Sequence, residues 1–164
     1  DALAEVPDAN VQLHQGQPQR NQYYDVAVTI PTSGGTRAPV LRSPQRKSFA
    51  EIEGELARFS RQGADGSLPA EAETGAVITL HRRAGLLLST VPLEHPQCLA
   101  LAVHRVQPTP VVIQGPAGPI VAIRPVCMLS LGWDPRAMGV ADAAALLGRV
   151  REGLKHPERL WLEV

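Results

Sequence analysis

Residues 128–142 carry the side chains whose types and spacing best suit chemistry. This segment reads as the end of a buried strand, a sharp loop with Asp134, Pro135 and Arg136, and the start of a helix. Loops that a rigid scaffold positions often carry catalytic and binding residues. Pro135, at the centre of the loop, has no titratable group and no backbone N–H. The loop therefore has the setting of an active site but lacks a proton-transferring side chain at its centre.

Hydrophobic periodicity predicts the elements that must position this loop. Helices are predicted at residues 48–61, with Ser48 and Glu51 at capping-box spacing and Gly63 as the stop, and at residues 140–155. The other periodic segments predict a helical turn at 2–6, a hairpin of strands 23–30 and 37–41, and strands at 76–80, 86–91, 98–104, 110–114 and 119–131. This order predicts an α+β fold, a two-layer sandwich of a mixed β-sheet with helices on one face.

Length and charge limit the classes of protein to which the chain can belong. The chain has 164 residues, 44% of them hydrophobic, which is enough for one domain with a core. Its 16 basic and 16 acidic side chains cancel, so no long-range field favours nucleic acid or an anionic membrane as a partner. No apolar run approaches a membrane span, and no signal peptide is visible. Because the chain begins at Asp1 rather than at a methionine, we expect a processed, trimmed or partly observed polypeptide.

The spacing of cysteines and histidines does not favour a metal site. Cys98 and Cys127 lie in apolar, strand-like runs, so two buried free thiols in a reducing compartment are expected rather than a disulfide. The histidines at positions 14, 95, 104 and 156 have no metal-ligand spacing to another histidine, cysteine or carboxylate. We therefore predict no metal ion.

Several short motifs, in order along the chain, carry a resemblance to a known family. They are residues 7–10 (P-x-x-N), 24–41 (I-x-V-A-V-x-T-x-x-G-L-x-x-P-V), 66–71 (G-x-L-x-P-E), 96–103 (P-Q-x-A-I-L-x-V) and 134–140 (D-H-R-x-x-D-G). The chain resembles the core domain of dihydrolipoamide acyltransferase (E2) of 2-oxoacid dehydrogenase complexes. The resemblance implies a chloramphenicol-acetyltransferase-like fold and a single core domain over residues 1–164 that is truncated at its N-terminus, with any lipoyl and subunit-binding domains upstream.

The same resemblance implies that the catalytic positions have changed. In the family a histidine takes a proton from a thiol, an aspartate orients the site, and a serine or threonine hydroxyl stabilises the oxyanion. These positions map to Pro135, Gly139 and Leu80, which cannot supply those groups. Two neighbours of the last position are candidate substitutes, His81 as a base and Thr79 as a hydroxyl if the strand slips by one residue.

The resemblance also implies structural roles for the loop and the tail. Asp134 and Arg136 remain from the loop motif and are expected to form a charge-assisted clamp rather than to act in catalysis. The apolar tail residues Leu160, Trp161 and Leu162 are similar to the segment through which E2 trimers join into cages; packing on their own domain is the alternative. The expected partners are a homotrimer, or a mixed assembly with active E2 core subunits, and dihydrolipoamide dehydrogenase through domains outside this sequence.

These observations lead to one functional hypothesis and two alternatives. The hypothesis is a non-catalytic E2-like core subunit that scaffolds a 2-oxoacid dehydrogenase complex, pyruvate dehydrogenase foremost, in the manner of the E3-binding protein or protein X. The first alternative is an active acyltransferase that moves acyl groups between CoA and dihydrolipoamide, or a biosynthetic acceptor, through a rearranged site; the second is a stand-alone binding module. CoA and the lipoyl group are expected only for the active enzyme. The family implies the mitochondrial matrix or, in a bacterium, the cytoplasm.

Overall fold

The architecture combines one mixed sheet with helices packed on one of its faces. The computed structural model describes residues 1–93, 95 and 97–158. The helices are α1 (Ala2–Glu5), α2 (Phe49–Asp65) and α3 (Val140–Lys155), with 3-10 turns at Pro7–Ala9, Pro44–Arg46 and Ala70–Glu73. The strands are β1 (Val11–His14), β2 (Gln17–Arg20), β3 (Val26–Val28), β4 (Ile30–Thr32), β5 (Gly35–Arg37), β6 (Val40–Leu41), β7 (Ile78–Arg83), β8 (Leu99–Gly115) and β9 (Gly118–Trp133).

The central sheet contains five strands in the order β6-β3-β7-β8-β9. β7 runs parallel to β3 and to β8, whereas β6 and β9 run antiparallel to their neighbours. Parallel neighbours need a long connection, and α2 supplies part of the one between β3 and β7. β1 pairs with β2 and β4 with β5 in two small hairpins. The predicted α+β sandwich with a mixed sheet is confirmed.

Helix α2 begins at the predicted capping box. Ser48 Oγ accepts a hydrogen bond from the Glu51 N–H at 3.3 Å, and the Glu51 carboxylate accepts one from the Ser48 N–H at 2.8 Å. The predicted stop at Gly63 is wrong, because the helix continues to its C-cap Gly66, which has φ 76°. A Cβ at Gly63 would lie 2.8 Å from Ile30 Cδ1. Gly63 therefore allows α2 to pack closely on β4.

The strands of the first half differ from the prediction in their pairing. The single predicted hairpin of residues 23–30 and 37–41 is divided in the structure. β3 pairs with β6 in the central sheet, whereas β4 and β5 form a separate hairpin that packs on α2. The backbone thus leaves the sheet and returns to it within one predicted strand pair.

The strands of the second half differ in extent. The predicted strand at 86–91 is wrong, because these residues form a loop in which Leu86, Leu87 and Leu88 are 47–58% exposed. The predicted strands at 98–104 and 110–114 are parts of one strand, β8, which pairs with β9 from Leu99 to Gly115 with a bulge between Val103 and Val106. The predicted helix at 140–155 is confirmed.

The main apolar core lies between the sheet and helices α1 and α3. β7 contributes Ile78 and the half-buried Leu80, and β8 and α3 contribute Leu99 and Leu146. Leu99 and Leu146 are 1% and 2% exposed. Full burial of such a side chain contributes about 1.5–3 kcal/mol. We call this surface the helix face of the sheet.

The opposite surface, called the loop face, is lined by small and polar side chains. Because successive strand residues point to opposite faces, Thr79 and His81 lie there. The strand register places Ala100 and Ala102 of β8 beside them. The loop of residues 84–98 covers this surface so closely that a Cβ at Gly132 would lie 2.9 Å from the Val91 carbonyl oxygen. Irregular backbone, rather than helix, therefore closes the loop face.

β8 and β9 extend beyond the sheet as a two-stranded ribbon of residues 106–127, because β7 pairs with β8 only as far as His104. Within the ribbon Pro108 faces Pro125, and the turn is closed by Gly115 and Gly118 as predicted. Four apolar side chains of the ribbon are 66–74% exposed: Val106, Val112, Val121 and Ile123. The ribbon contributes little to the core.

The cysteines are free thiols, as predicted, although only Cys98 is fully buried and Cys127 is half-buried. Burial raises the pKa of the Cys98 thiol, so this group stays protonated at neutral pH. Among the residues that the structure describes, no helix is long and apolar enough to cross a membrane. The described residues also contain no cluster of three or more His, Cys, Asp or Glu side chains that could hold a metal ion.

Candidate functional site

The loop after β9 is held by one carboxylate. The Asp134 N–H donates to the Cys98 carbonyl at 2.9 Å. The Asp134 carboxylate accepts hydrogen bonds from the Arg136 N–H at 2.9 Å and from Arg136 Nε at 3.0 Å. The hydrogen bond from Arg136 holds the pKa of the Asp134 carboxyl below its usual range. The pair therefore forms a turn that is closed by an ion pair, the geometry expected of a loop clamp.

The other two loop positions offer no group for chemistry. Pro135 is exposed, and Gly139 is the exposed N-cap of α3 with φ −74°, a conformation open to any residue. Met138 is 5% exposed and anchors the loop in the core below. The structure thus presents an ordered loop whose predicted catalytic positions carry a pyrrolidine ring and a hydrogen atom.

Leu80 lies in the middle of β7 and points to the helix face. It lines an apolar groove of about 480 Å³ together with side chains from each helix and from the neighbouring strands. These include Leu3, Ile52, Leu101, Leu131 and Val150. An aliphatic side chain in such surroundings cannot donate a hydrogen bond to an oxyanion.

Thr79 and His81 lie on the loop face, opposite to Leu80. Thr79 is 1% exposed and donates its hydroxyl hydrogen bond to Gln97 Oε1, whereas His81 is 3% exposed. In the register, Thr79 faces Ala100, which in turn faces Gly132, two residues before Asp134. At about 4.8 Å per strand and 3.3 Å per residue, Thr79 is roughly 12 Å from the loop. One copy of the chain therefore does not bring either candidate substitute to Pro135.

A Ser–His contact that sequence analysis did not identify lies on the loop face. His104 is 3% exposed; its Nε2 lies 3.1 Å from Ser89 Oγ and its Nδ1 lies 3.0 Å from the Met128 carbonyl oxygen. A carbonyl oxygen only accepts, so Nδ1 carries the proton and Nε2 accepts from the hydroxyl. These bonds fasten the 84–98 loop to the sheet. Only the polar residue at the end of an apolar strand signals such a contact in the sequence.

The described residues also form a polar groove of about 580 Å³ at the end of β7. Its lining includes His81, Arg37, Arg82, Arg83, Glu73 and Gln97. Arg37 Nη2 and Glu73 Oε2 form an ion pair at 2.7 Å, which lowers the pKa of the Glu73 carboxyl. The predicted assembly residues Leu160, Trp161 and Leu162 lie outside the described residues.

Comparison with known structures supports the architecture described above. The structure superposes on Azotobacter vinelandii dihydrolipoamide acetyltransferase (E2p) with a TM-score of 0.83 and 26% identity, covering 93% of this chain and 63% of that one. The A. vinelandii structure served to investigate a serine, a histidine and an asparagine in the catalytic mechanism. The cubic core of the pyruvate dehydrogenase multienzyme complex gives a TM-score of 0.82 at 26% identity and the same coverage.

Sequence comparison leads to the same family. The chain is 31% and 32% identical, over its full length, to the dihydrolipoyllysine-residue succinyltransferase components of the 2-oxoglutarate dehydrogenase complexes of Haemophilus influenzae and Pseudomonas aeruginosa. It spans 40% of the length of each of these relatives. Residues 1–162 match the family of 2-oxoacid dehydrogenases acyltransferase (catalytic domain). The chain therefore belongs to the acyltransferase catalytic-domain family of the 2-oxoacid dehydrogenases.

Proposed function

We propose that this chain is an E2-like core domain of a 2-oxoacid dehydrogenase complex whose role is structural rather than catalytic. The observation that carries the proposal is Pro135, which stands in an ordered loop where the family motif has its histidine. A pyrrolidine ring cannot take a proton from a thiol. Loss of a general base alone costs about two to four decades of rate.

The surroundings of Leu80 and Gly139 support the same proposal. Leu80 packs with aliphatic side chains, so the oxyanion of a tetrahedral intermediate would meet no hydroxyl donor there. Removing one such donor typically costs about two to three further decades. Gly139 has no side chain to orient a neighbouring group. The retained Asp134–Arg136 clamp would then preserve the shape of the loop for assembly.

An active acyltransferase is the second candidate, and the names of the relatives favour it. The curated relatives compared above are succinyltransferase components, and the solved relatives include an acetyltransferase. In this case CoA and a dihydrolipoyl group would be the substrates, and His81 or Thr79 would replace the missing groups. Because both residues lie away from Pro135 in one copy, a second copy would have to complete the site.

Acyl transfer from acetyl-CoA and from succinyl-CoA to dihydrolipoamide distinguishes the two candidates. The chain is assayed beside an active E2 core at equal concentration. A background rate supports the structural role. A rate within about a hundredfold of the active core, which is less than the loss expected from removal of the base, overturns it. Loss of that activity in His81→Ala would then identify the new base.

The proposed partners are further copies of this chain in a homotrimer, or active E2 subunits in a mixed assembly. The structural match to a cubic core supports an assembling domain. Analytical ultracentrifugation of the chain alone, and again after mixing with an active E2 core, separates the two arrangements. Binding of dihydrolipoamide dehydrogenase through other domains stays a prediction. So does the mitochondrial matrix; the bacterial relatives favour the cytoplasmic alternative.

A further inference from the structure

The polar groove at the end of β7 has the size of a small-molecule site. It lies between the β4–β5 hairpin, the end of β7 and the loop that covers the sheet, and its volume is about 580 Å³. Small-molecule sites typically measure about 300–1,000 Å³. The groove is open to solvent along one side, where Arg82 is exposed. It is separate from the Asp134 loop and from the apolar groove at Leu80.

The acidic member of this groove is already used. Glu73 accepts hydrogen bonds from Arg37 Nη2 at 2.7 Å and from the Ala38 N–H at 2.9 Å. Arg37 also donates to the carbonyl oxygens of Leu68 at 2.8 Å and Pro69 at 3.3 Å. These bonds fully occupy the Arg37–Glu73 pair, which forms one wall of the groove and cancels its own charge.

Two further cations in the groove remain uncompensated. Within the described part of the chain, neither Arg82 nor Arg83 forms an ion pair. The Nε atom of Arg83 is buried and has no hydrogen-bond partner there. A buried donor of this kind costs free energy unless a partner satisfies it. In a chain whose formal net charge is zero, this is a local concentration of positive charge with an unused donor.

We propose that this groove binds the phosphate groups of a small molecule, with Arg82 and Arg83 as the binding residues. Guanidinium groups bind phosphate through paired N–H donors in a fork geometry. A phosphate group that carries between one and two negative charges balances two arginines, whereas a single carboxylate balances only one. The exposed hydroxyl of Thr36 lies at the rim of the groove and provides a further donor. The groove is larger than one phosphate, which favours pyrophosphate or a nucleotide.

The proposal does not depend on acyl transfer. A binding measurement with the purified chain tests it, so its failure leaves the proposed structural role unchanged. Conversely, an active enzyme in the acyl-transfer assay does not decide whether the groove binds phosphate.

Isothermal titration of the full chain with inorganic pyrophosphate and with ADP is the direct test. Saturable binding of both is expected if the phosphate groups are sufficient; binding of ADP alone indicates that the nucleoside also contributes, and it supports the proposal equally. Succinate serves as the carboxylate control and is expected to bind at least tenfold more weakly. Absence of saturable binding of either phosphate probe at millimolar concentration overturns the proposal, as does tighter binding of succinate.

Substitutions identify the site. Arg83→Gln is expected to weaken binding about tenfold, since it removes a charge-assisted donor pair. Arg82→Gln is expected to weaken it about threefold, because its side chain is exposed to water. Arg124→Gln removes the same charge from the ribbon, where Arg124 faces Thr109, and is expected to change affinity less than twofold. Equal weakening by Arg124→Gln would show a non-specific charge effect and overturn the proposal.

A charge-conserving variant excludes a folding artefact. Arg83→Lys keeps the positive charge but loses the fork geometry, so binding is expected to weaken several-fold without loss of the folded state. The far-ultraviolet circular dichroism and the thermal midpoint of each variant are measured alongside. Unchanged affinity in a folded Arg83→Lys and a folded Arg83→Gln would exclude Arg83 as a binding residue.

Discussion

The two faces of β7 stabilise the fold in different ways. On the helix face, Ile78 and Leu80 pack with aliphatic side chains that need no fixed hydrogen-bond geometry. On the loop face, Thr79 binds Gln97 and His104 binds both Ser89 and Met128, so each contact requires a particular partner. Hydrophobic burial is non-directional and hydrogen bonds are directional. The helix face therefore supplies most of the stability, whereas the loop face fixes the position of the covering loop.

The largest expected effect comes from the helix face. Leu99→Ala and Leu146→Ala each remove a side chain that is at most 2% exposed, and each is expected to lower the free energy of unfolding by about 2–5 kcal/mol. Leu154→Ala, on the same helix as Leu146 but 60% exposed, is the control and is expected to change it by less than about 0.5 kcal/mol. Urea denaturation measures all three. Similar losses in the control and the core variants would contradict a stability that resides on this face.

Close packing of the loop on the sheet predicts a smaller loss. Gly132→Ala would place a Cβ 2.9 Å from the Val91 carbonyl oxygen, and is expected to destabilise by about 1–3 kcal/mol. Gly148→Ala, in α3 with nothing within 4 Å of the added Cβ, is expected to stabilise by about 0.5–1 kcal/mol because alanine favours the helix. Opposite signs for the same chemical change would sharpen the distinction between the faces. Equal effects in thermal unfolding would remove it.

Loss of the Ser–His contact is expected to act locally. His104→Ala leaves Ser89 Oγ and the Met128 carbonyl without their imidazole partner, at a cost of about 1–3 kcal/mol, whereas Ser89→Ala removes one hydrogen bond at about 1 kcal/mol. Faster amide hydrogen exchange is expected in residues 84–98 before the helices. Exchange that rises uniformly through the chain instead would show that the contact supports the whole fold rather than the loop.

Acid is expected to produce the smallest effect, through Glu73. Its folded-state pKa lies below the usual value, chiefly because Arg37 donates a hydrogen bond to it. The stabilisation is therefore fully present above the unfolded pKa of about 4.3 and is lost as the pH falls through the lower folded value. Glu73→Gln is expected to lower the urea midpoint at pH 7 and to flatten its decline below about pH 4. A parallel decline in both proteins would exclude this carboxylate as a contributor.

Sequence patterns predicted the features that depend on neighbours along the chain. The capping box of Ser48 and Glu51 formed as expected because both partners lie within one helical turn. The failures involve distant partners. Gly63 reads as a stop, but its hydrogen is needed where α2 meets Ile30. The leucines at 86–88 read as a strand, but β8 pairs directly with β7 and leaves no place in the sheet for them.

The candidate site shows the same division. The Asp134–Arg136 clamp spans two residues and was predictable from the loop alone. The contacts of Thr79 with Gln97 and of Ser89 with His104 join residues 18 and 15 positions apart and depend on how the loop crosses the sheet. The groove arginines gave no signal, because adjacent strand residues are expected to point to opposite faces, and only the end of β7 lets both line one cavity.

The prolines of the β8–β9 ribbon protect the protein from aggregation. Pro108 and Pro125 face each other, so this pair cannot exchange N–H···O bonds and must be one whose backbone groups point outward. The register gives Pro110 and Pro119 the same outward position. Each proline removes a donor from a ribbon edge that would otherwise accept a strand from another chain. A ribbon rich in exposed valine and isoleucine can therefore extend into solvent without serving as a template for cross-β growth.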